Sequence, residues 1–371
     1  MNSWDYARIT CIADTNVAAA VDGVLRDLAL PEVHVQRAKQ LCLEERSGLA
    51  GLRPRIQAAE DRADLYRALV PRERADGVMR RLSDAADLSL PGRGSVFSED
   101  VVIRRPEPLA FDDERLSELA SGANARSSAH TALCCIVQRG MAAPLAATVL
   151  DMGLCVPAVS YGEGMGLRNK LGLLRVTIPV EKEVMYCLVP ARDADLVEGV
   201  LVHKARLDRP GQGFVYRYPV RAAAVNLRVS RGRRRHAATM EQVIAAMDEL
   251  RGSSEWRRLA PARAGSASGG KQLGDLRCLS LVAEEGTVGD FVRAAMDAGA
   301  GGATLVPLER RSYTEGASDR FGHARETCDL IIPATLVDGI LDTVAGRGLF
   351  GPEAQGFAEL SAVEKAVTYV A

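Results

Sequence analysis

The residues in this chain that could do chemistry are glycines and arginines placed in turns. Arg209-Pro-Gly211-Gln-Gly213 precedes an apolar run, as Gly92-Arg93-Gly94 does earlier and Gln355-Gly356 does later. Successive backbone N–H groups in a Gly-x-Gly turn form a concave nest for an anion, because glycine permits the backbone angles and a close approach. Arginines nearby add charge and a bidentate fork suited to phosphate. In the middle of the chain the nest would be Gly211 and Gly213, flanked by Arg206 and Arg209. Gly162, Gly164 and Gly166 would let a second stretch of backbone lie against a base or phosphates. A glycine pair ahead of a strand is also an ordinary turn, and Gly162-Glu-Gly-Met-Gly166 fits no dinucleotide fingerprint, since no helix pattern opens behind it. No nucleophile elbow, paired-carboxylate arrangement, metal-ligand spacing or Walker loop is visible. The five histidines lie in separate segments, away from any cysteine or carboxylate cluster suited to acid–base work. The chemistry expected is binding, not catalysis.

These turns belong to a repeat. Three times an apolar run ends at a proline, a helix-length segment follows, and a glycine turn leads into another apolar run. The interval from proline to the last glycine is 23 residues in each copy: 71 to 94, 190 to 213 and 333 to 356. Copies of roughly 100 residues are too long for a solenoid, so each should own a small core. Periodicity places a strand at Ala7–Ala13, a helix capped by Asn16, a strand at Val33–Lys39 and a polar excursion over 41–60. A strand at Asp64–Val70, a helix over Pro71–Leu82 and closing strands at Ser95–Phe97 and Val101–Ile103 complete the first copy. The order is βαββαβ, the ferredoxin-like split βαβ unit. The second copy repeats it from Ala132, and the third from Leu276 to a last strand at Lys365–Val370, with a hairpin tip over 309–325. The expected class is α+β: three ferredoxin-like domains over residues 1–105, 129–230 and 273–371. A proline-rich linker (106–128) and a second linker (231–272) join them; the latter holds a basic run, a helix near Met240–Leu250 and a Gly/Ser-rich segment.

Composition limits the alternatives. Hydrophobic content of 47% with 26% charge suits a globular chain, and a net charge of −1 supplies no bulk attraction to nucleic acid or an acidic membrane. No apolar run approaches a membrane span and the start has no signal-peptide pattern, so a cytoplasmic location is expected. The eight cysteines lack metal spacing and mostly sit in apolar runs, which suits buried thiols.

The order of elements, the long excursion between second and third strands and the glycine turn after the second helix resemble the PII nitrogen-regulatory signalling family. The resemblance is strongest in the middle copy. There Lys204-Ala-Arg-Leu-Asp-Arg-Pro-Gly-Gln-Gly-Phe-Val215 looks like that family's B-loop, and Gly162 to Arg168 like the entry to its T-loop. The family assembles as homotrimers with an adenine nucleotide in each inter-subunit cleft. The resemblance therefore implies a single-chain pseudo-trimer, monomeric in solution, that binds ATP, ADP or AMP in interdomain clefts. It would signal through its hairpin loops to a membrane transporter or metabolic enzyme, with no metal assigned. By the same resemblance Arg228 and Arg231 match late arginines that reach phosphates, as does Arg104 in the first copy, where Gly92, Arg93 and Gly94 form the turn. The third copy keeps only Gly356, and the family's B-loop lysine has no counterpart, so one or two working clefts are expected. A ligand-free scaffold that kept the pseudo-trimer is the alternative.

Overall fold

The three prolines do the same thing to the backbone. Pro71, Pro190 and Pro333 share φ −56° with ψ of 137°, 133° and 140°, and each caps a one-turn 3-10 helix that leads into an α-helix. Proline fixes φ near that value and lacks the N–H a strand ladder needs, so it ends the strand and starts the helix. It stands outside the helix: in the first repeat the α-helix begins at Ala75, not at Pro71.

A computed structural model describes residues 2–46, 55–90, 92–119, 129–166, 180–226, 230–231, 270–273, 275–314 and 323–369. The first repeat runs β1 (Asn2–Asp14), α1 (Ala18–Asp27), β2 (Val33–Arg46), β3 (Arg55–Val70), α2 (Ala75–Ala85) and β4 (Gly94–Arg105), followed by a short α3 (Asp113–Ser117). The second runs β5 (His130–Gln138), α4 (Ala142–Asp151), β6 (Ala158–Met165), β7 (Glu181–Pro190), α5 (Ala194–Ala205) and β8 (Gly213–Pro219). Three short strands follow: β9 (Ala222–Val225), β10 (Ser230–Arg231) and β11 (Gly270–Leu273). The third runs β12 (Leu276–Glu284), α6 (Val288–Asp297), β13 (Ala303–Arg311), β14 (His323–Pro333), α7 (Val337–Gly346) and β15 (Phe357–Val363), with β16 (Lys365–Tyr369) last. The class is α+β, with a mostly antiparallel sheet and seven α-helices among the described residues.

Within each repeat the strands lie in one order: β2-β3-β1-β4, β6-β7-β5-β8 and β13-β14-β12-β15. The sheets join edge to edge. β4 pairs with β15, β13 pairs with β6 and β2, and β2 pairs with β6. The path from β2 through β4 and β15 to β13 therefore closes on itself.

Burial follows the same plan. Three separate apolar clusters lie between helices and sheet, one per repeat; Val21, Leu25 and Val78 typify the first, Val149 and Leu201 the second, Val292 and Ile340 the third. A fourth cluster joins all three repeats across the opposite faces of the strands, with Leu65 and Phe97 meeting Cys134, Tyr186 and Tyr218, and Cys278 and Phe357. All eight cysteines are buried free thiols.

Several elements differ from the pattern in the sequence. Asn16 does not cap α1; Val17 does, while Asn16 donates its backbone and side-chain N–H groups to Asp14 Oδ1. The excursion over 41–60 is mostly ladder, with pairing from Leu41↔Glu60 to Arg46↔Arg55. Polar residues extend these strands because they pair across them, as Lys39 does with Glu60 at 2.8 Å. The two closing strands of the first repeat are one strand, β4. Lys365–Tyr369 does not finish the third sheet; β15 does, and β16 crosses to β8 of the second repeat. The helix near Met240–Leu250 and most of the Gly/Ser segment lie outside the described residues.

Candidate functional site

The recurring glycine is required first by packing. A Cβ on Gly94 would lie 1.9 Å from the Ile12 carbonyl oxygen, and one on Gly213 would lie 2.0 Å from that of Ile136. Their φ angles of +139° and +133° add to the demand. At Gly356 a Cβ would fall 2.6 Å from the Leu349 carbonyl oxygen and 2.8 Å from that of Val282. In all three repeats the closing strand begins by pressing its backbone onto the first strand.

A strand from a neighbouring repeat runs beside each turn. The end of β4 pairs with the start of β15, placing Arg104 opposite Ala358 beside the third turn. β16 pairs with the start of β8, Thr368 lying opposite Phe214 at the second turn. β9 pairs with the start of β4, Val225 lying opposite Ser95 at the first turn. Each repeat thus sends the chain that ends it onto another repeat's turn, in cyclic order.

This arrangement separates residues that the sequence grouped and joins others. Arg104 is ten residues along β4 from Gly94, roughly 33 Å at the rise of a strand. Its backbone lies near Gly356 and far from Gly92, Arg93 and Gly94; its Nε is buried without a hydrogen-bond partner among the described residues. At the second turn Arg206 takes a left-handed conformation as the C-cap of α5, and its carbonyl accepts from Arg209 N–H at 3.0 Å. Arg206 and Arg209 are exposed, while the Gly211 carbonyl accepts from Gln138 Nε2 at 2.9 Å. Thr368 Oγ1 donates to the Gly213 carbonyl at 3.4 Å.

Gly162 and Gly164 lie within β6 and Gly166 just beyond it, on the edge facing the third repeat, with Gly164 opposite Thr304. A Cβ on Gly162 would stand 2.4 Å from the Leu305 carbonyl oxygen, so this glycine lets two sheets meet. It sits one position past the row Gly213–Val137–Glu183–Tyr161, which puts the glycine edge roughly 14 Å across the sheet from the second turn. Arg231 pairs through its backbone with Glu44. Arg168 and Arg228 lie outside the described residues.

The third turn is filled by its own repeat. Arg325, 5% exposed, donates from Nη1 to the carbonyls of Ala354 (3.2 Å) and Gln355 (3.0 Å), and its Nη2 lies 3.4 Å from Glu284. Burial lowers the pKa of this guanidinium, with Glu284 opposing. The turn therefore presents acceptors, not an anion nest. At the adjoining β2–β13 seam, Arg310 donates to both carboxylate oxygens of Glu32 (2.9 and 3.2 Å) and Arg311 Nη1 donates to Asp22 at 2.6 Å. His34 lies 3.2 Å from Glu32 and stacks on Phe357 with ring centroids 5.9 Å apart. Burial of Glu32 opposes its ionisation, but His34 and Arg310 hold its pKa down to about 2.

A polar chamber that no reading of the sequence anticipated lies between the three inner faces. It is lined by residues of all three repeats, among them Arg8, Arg67, Glu99, Tyr186, Tyr216 and Asp329, around a cavity of ≈ 10 Å³, room for about one water. Arg8 is 8% exposed, with Nη2 at 3.1 Å from Glu99 and Nη1 at 2.7 Å from Glu359. Burial works against the charge on Arg8, yet Glu99 and Glu359 raise its pKa well above the ordinary value. Burial pushes Glu99 upward against the pull of Arg8. Arg67 donates to Tyr186 Oη at 3.1 Å, Ser280 donates to Asp329 at 2.6 Å, and Tyr216 Oη reaches Asp329 at 3.5 Å. An open cleft of ≈ 440 Å³, lined by Asp100, Val220, Arg221 and Ala362, shares Glu99 and Ser361 with this chamber. A period-2 pattern could have exposed the chamber: Arg8, Thr10 and Arg67 alternate with apolar residues on strands whose other face is buried as well.

Among the described residues no group of three or more His, Cys, Asp or Glu could hold a metal ion, and no helix is long and apolar enough to cross a membrane. No protein-family model and no curated protein matches the chain. Among solved structures, the crystal structure of aspartate kinase from Synechocystis is similar over 96% of this chain and 44% of that one, with 9% identity and a TM-score of 0.21. The chain thus spans less than half of that protein, and a likeness this slight bears on neither fold nor activity.

Proposed function

We propose that the chain is a pseudo-trimer of three ferredoxin-like units resembling PII, and that it works as a regulatory binding protein, not an enzyme. The observation that carries this reading is the cyclic hand-over of strands, β4 to β15, β16 to β8 and β9 to β4, which makes every glycine turn a seam between two repeats. An adenine nucleotide would bind at such a seam, with the second turn favoured because Arg206 and Arg209 are exposed there. Binding can drive a signal through the hairpins to a transporter or enzyme only if the ligand favours one hairpin state over another. Calorimetric titration with ATP, ADP, AMP and cyclic AMP tests the reading, repeated on Arg209→Glu. Gly213 is unsuited to that test, since any side chain there meets the Ile136 carbonyl. Saturable binding weakened at least about tenfold in Arg209→Glu, as expected for loss of a charge-assisted contact, supports a nucleotide sensor; no heat from the folded parent chain overturns it. The filled third turn favours a second reading, a scaffold without ligand, which the same titration would then leave standing.

A further inference from the structure

The residues facing the chamber fall into sets of equivalent positions, one from each repeat. Cross-strand register aligns Arg8↔Glu99 with Ala132↔Tyr218 and Cys278↔Ser361. It likewise aligns Thr10↔Arg67 with Cys134↔Tyr186 and Ser280↔Asp329, and Thr10↔Phe97 with Cys134↔Tyr216 and Ser280↔Glu359. The first repeat therefore brings two arginines and one glutamate, the second only tyrosines, cysteine and alanine, and the third two carboxylates. Three polar contacts that join repeats here differ in chemistry: Arg8 with Glu359 from first to third, Arg67 with Tyr186 from first to second, Tyr216 with Asp329 from second to third.

We infer that the inner faces are a matching device that commits the first and third repeats to each other and excludes assembly of either with its own copies. Three copies of the first repeat would bury three sets of Arg8 and Arg67 against a single kind of glutamate. Three copies of the third would bury Asp329 and Glu359 with no cation. Unpaired charges in so small a chamber are heavily penalised, so neither the first nor the third repeat closes on copies of itself. Glu359 decides which face meets β4, because Arg8 is already held by Glu99 within its own repeat and uses its remaining Nη1 on the third. The inference rests on the three-repeat topology and not on nucleotide binding, so a silent titration leaves it intact.

Hydrogen exchange on the full chain carrying Glu359→Gln tests it. Loss of the link should speed exchange of the β4–β15 seam amides at Ala358–Ser361 by about tenfold or more, as for a lost charged hydrogen bond. The β1–β4 ladder inside the first repeat should keep its protection. Equal loosening of both ladders, or of neither, overturns the inference. A second variant separates matching from stability: Arg8→Met, Glu99→Gln and Glu359→Gln together remove every charge of the triad. After refolding at high concentration, native mass spectrometry should find swapped multimers that the parent chain does not form under the same conditions. The same distribution of species as the parent overturns the inference; if this variant does not refold, the Glu359→Gln exchange pattern decides.

Discussion

At the second turn Arg206 and Arg209 reach solvent while Gln138 and Thr368 each take one carbonyl; at the third turn one buried arginine takes two carbonyls. Both turns press a glycine onto the carbonyl of a first strand. The comparison separates two roles that the sequence shows as one signal. The recurrence of glycine at a fixed offset comes from backbone packing, whereas the chemistry of each turn is set by the side chains around it, local Arg206 and Arg209 at the second and Arg325 from a distant strand at the third.

The largest effect should come from breaking what the turns share. Gly94→Ala or Gly213→Ala sets a Cβ at 1.9 or 2.0 Å from a backbone oxygen that cannot move alone. Each should cost at least about 3 kcal/mol in denaturant unfolding, since both overpacking and a disfavoured φ contribute. An alanine tolerated at Gly213 would return that turn to a purely ligand-related role.

Next come the groups that close the third seam. The Glu32 carboxyl has a folded pKa of about 2 against an ordinary 4.5. Because the folded value is depressed, its contribution is present above pH 4.5 and is lost as the pH falls toward 2, worth up to about 3 kcal/mol. Unfolding measured across that range should show a steep acid limb that flattens in Glu32→Gln. A smaller loss, about 2 kcal/mol, is expected for Arg325→Met, which strands the Gln355 carbonyl and leaves that of Ala354 with the Glu284 N–H as donor. The smallest effect belongs to the open turn. Arg209→Ala should change stability by less than about 0.5 kcal/mol, as exposed substitutions do, so any change it makes in nucleotide affinity reports on binding alone.

Much of this architecture could be read from residue pattern. The prolines at 71, 190 and 333 mark strand ends because a pyrrolidine ring fixes φ and withholds a donor, and those rules are local. The helices followed from period and from the turns that stop them. The reach of the β2–β3 hairpin did not, because charged and polar residues such as Glu44, Glu45, Arg55 and Gln57 interrupt the apolar pattern, and the strands are continued by cross-strand pairing. The candidate site was legible in part. Gly211 and Gly213 stand in one turn with Arg206 and Arg209, as their spacing requires, whereas Arg104 belongs to a turn more than 250 residues later in the chain.

The chain by itself determined three copies of one element order, their helix and strand types, and the glycines at the turns, because short-range sterics and periodicity decide such features. Tertiary structure decided which turn each late strand visits, that Arg325 closes the third turn, and that Arg8, Glu99 and Glu359 meet in one chamber. Those outcomes depend on edges pairing across hundreds of residues and on charges that must find partners once water is excluded, and neither condition is written in any local stretch of sequence.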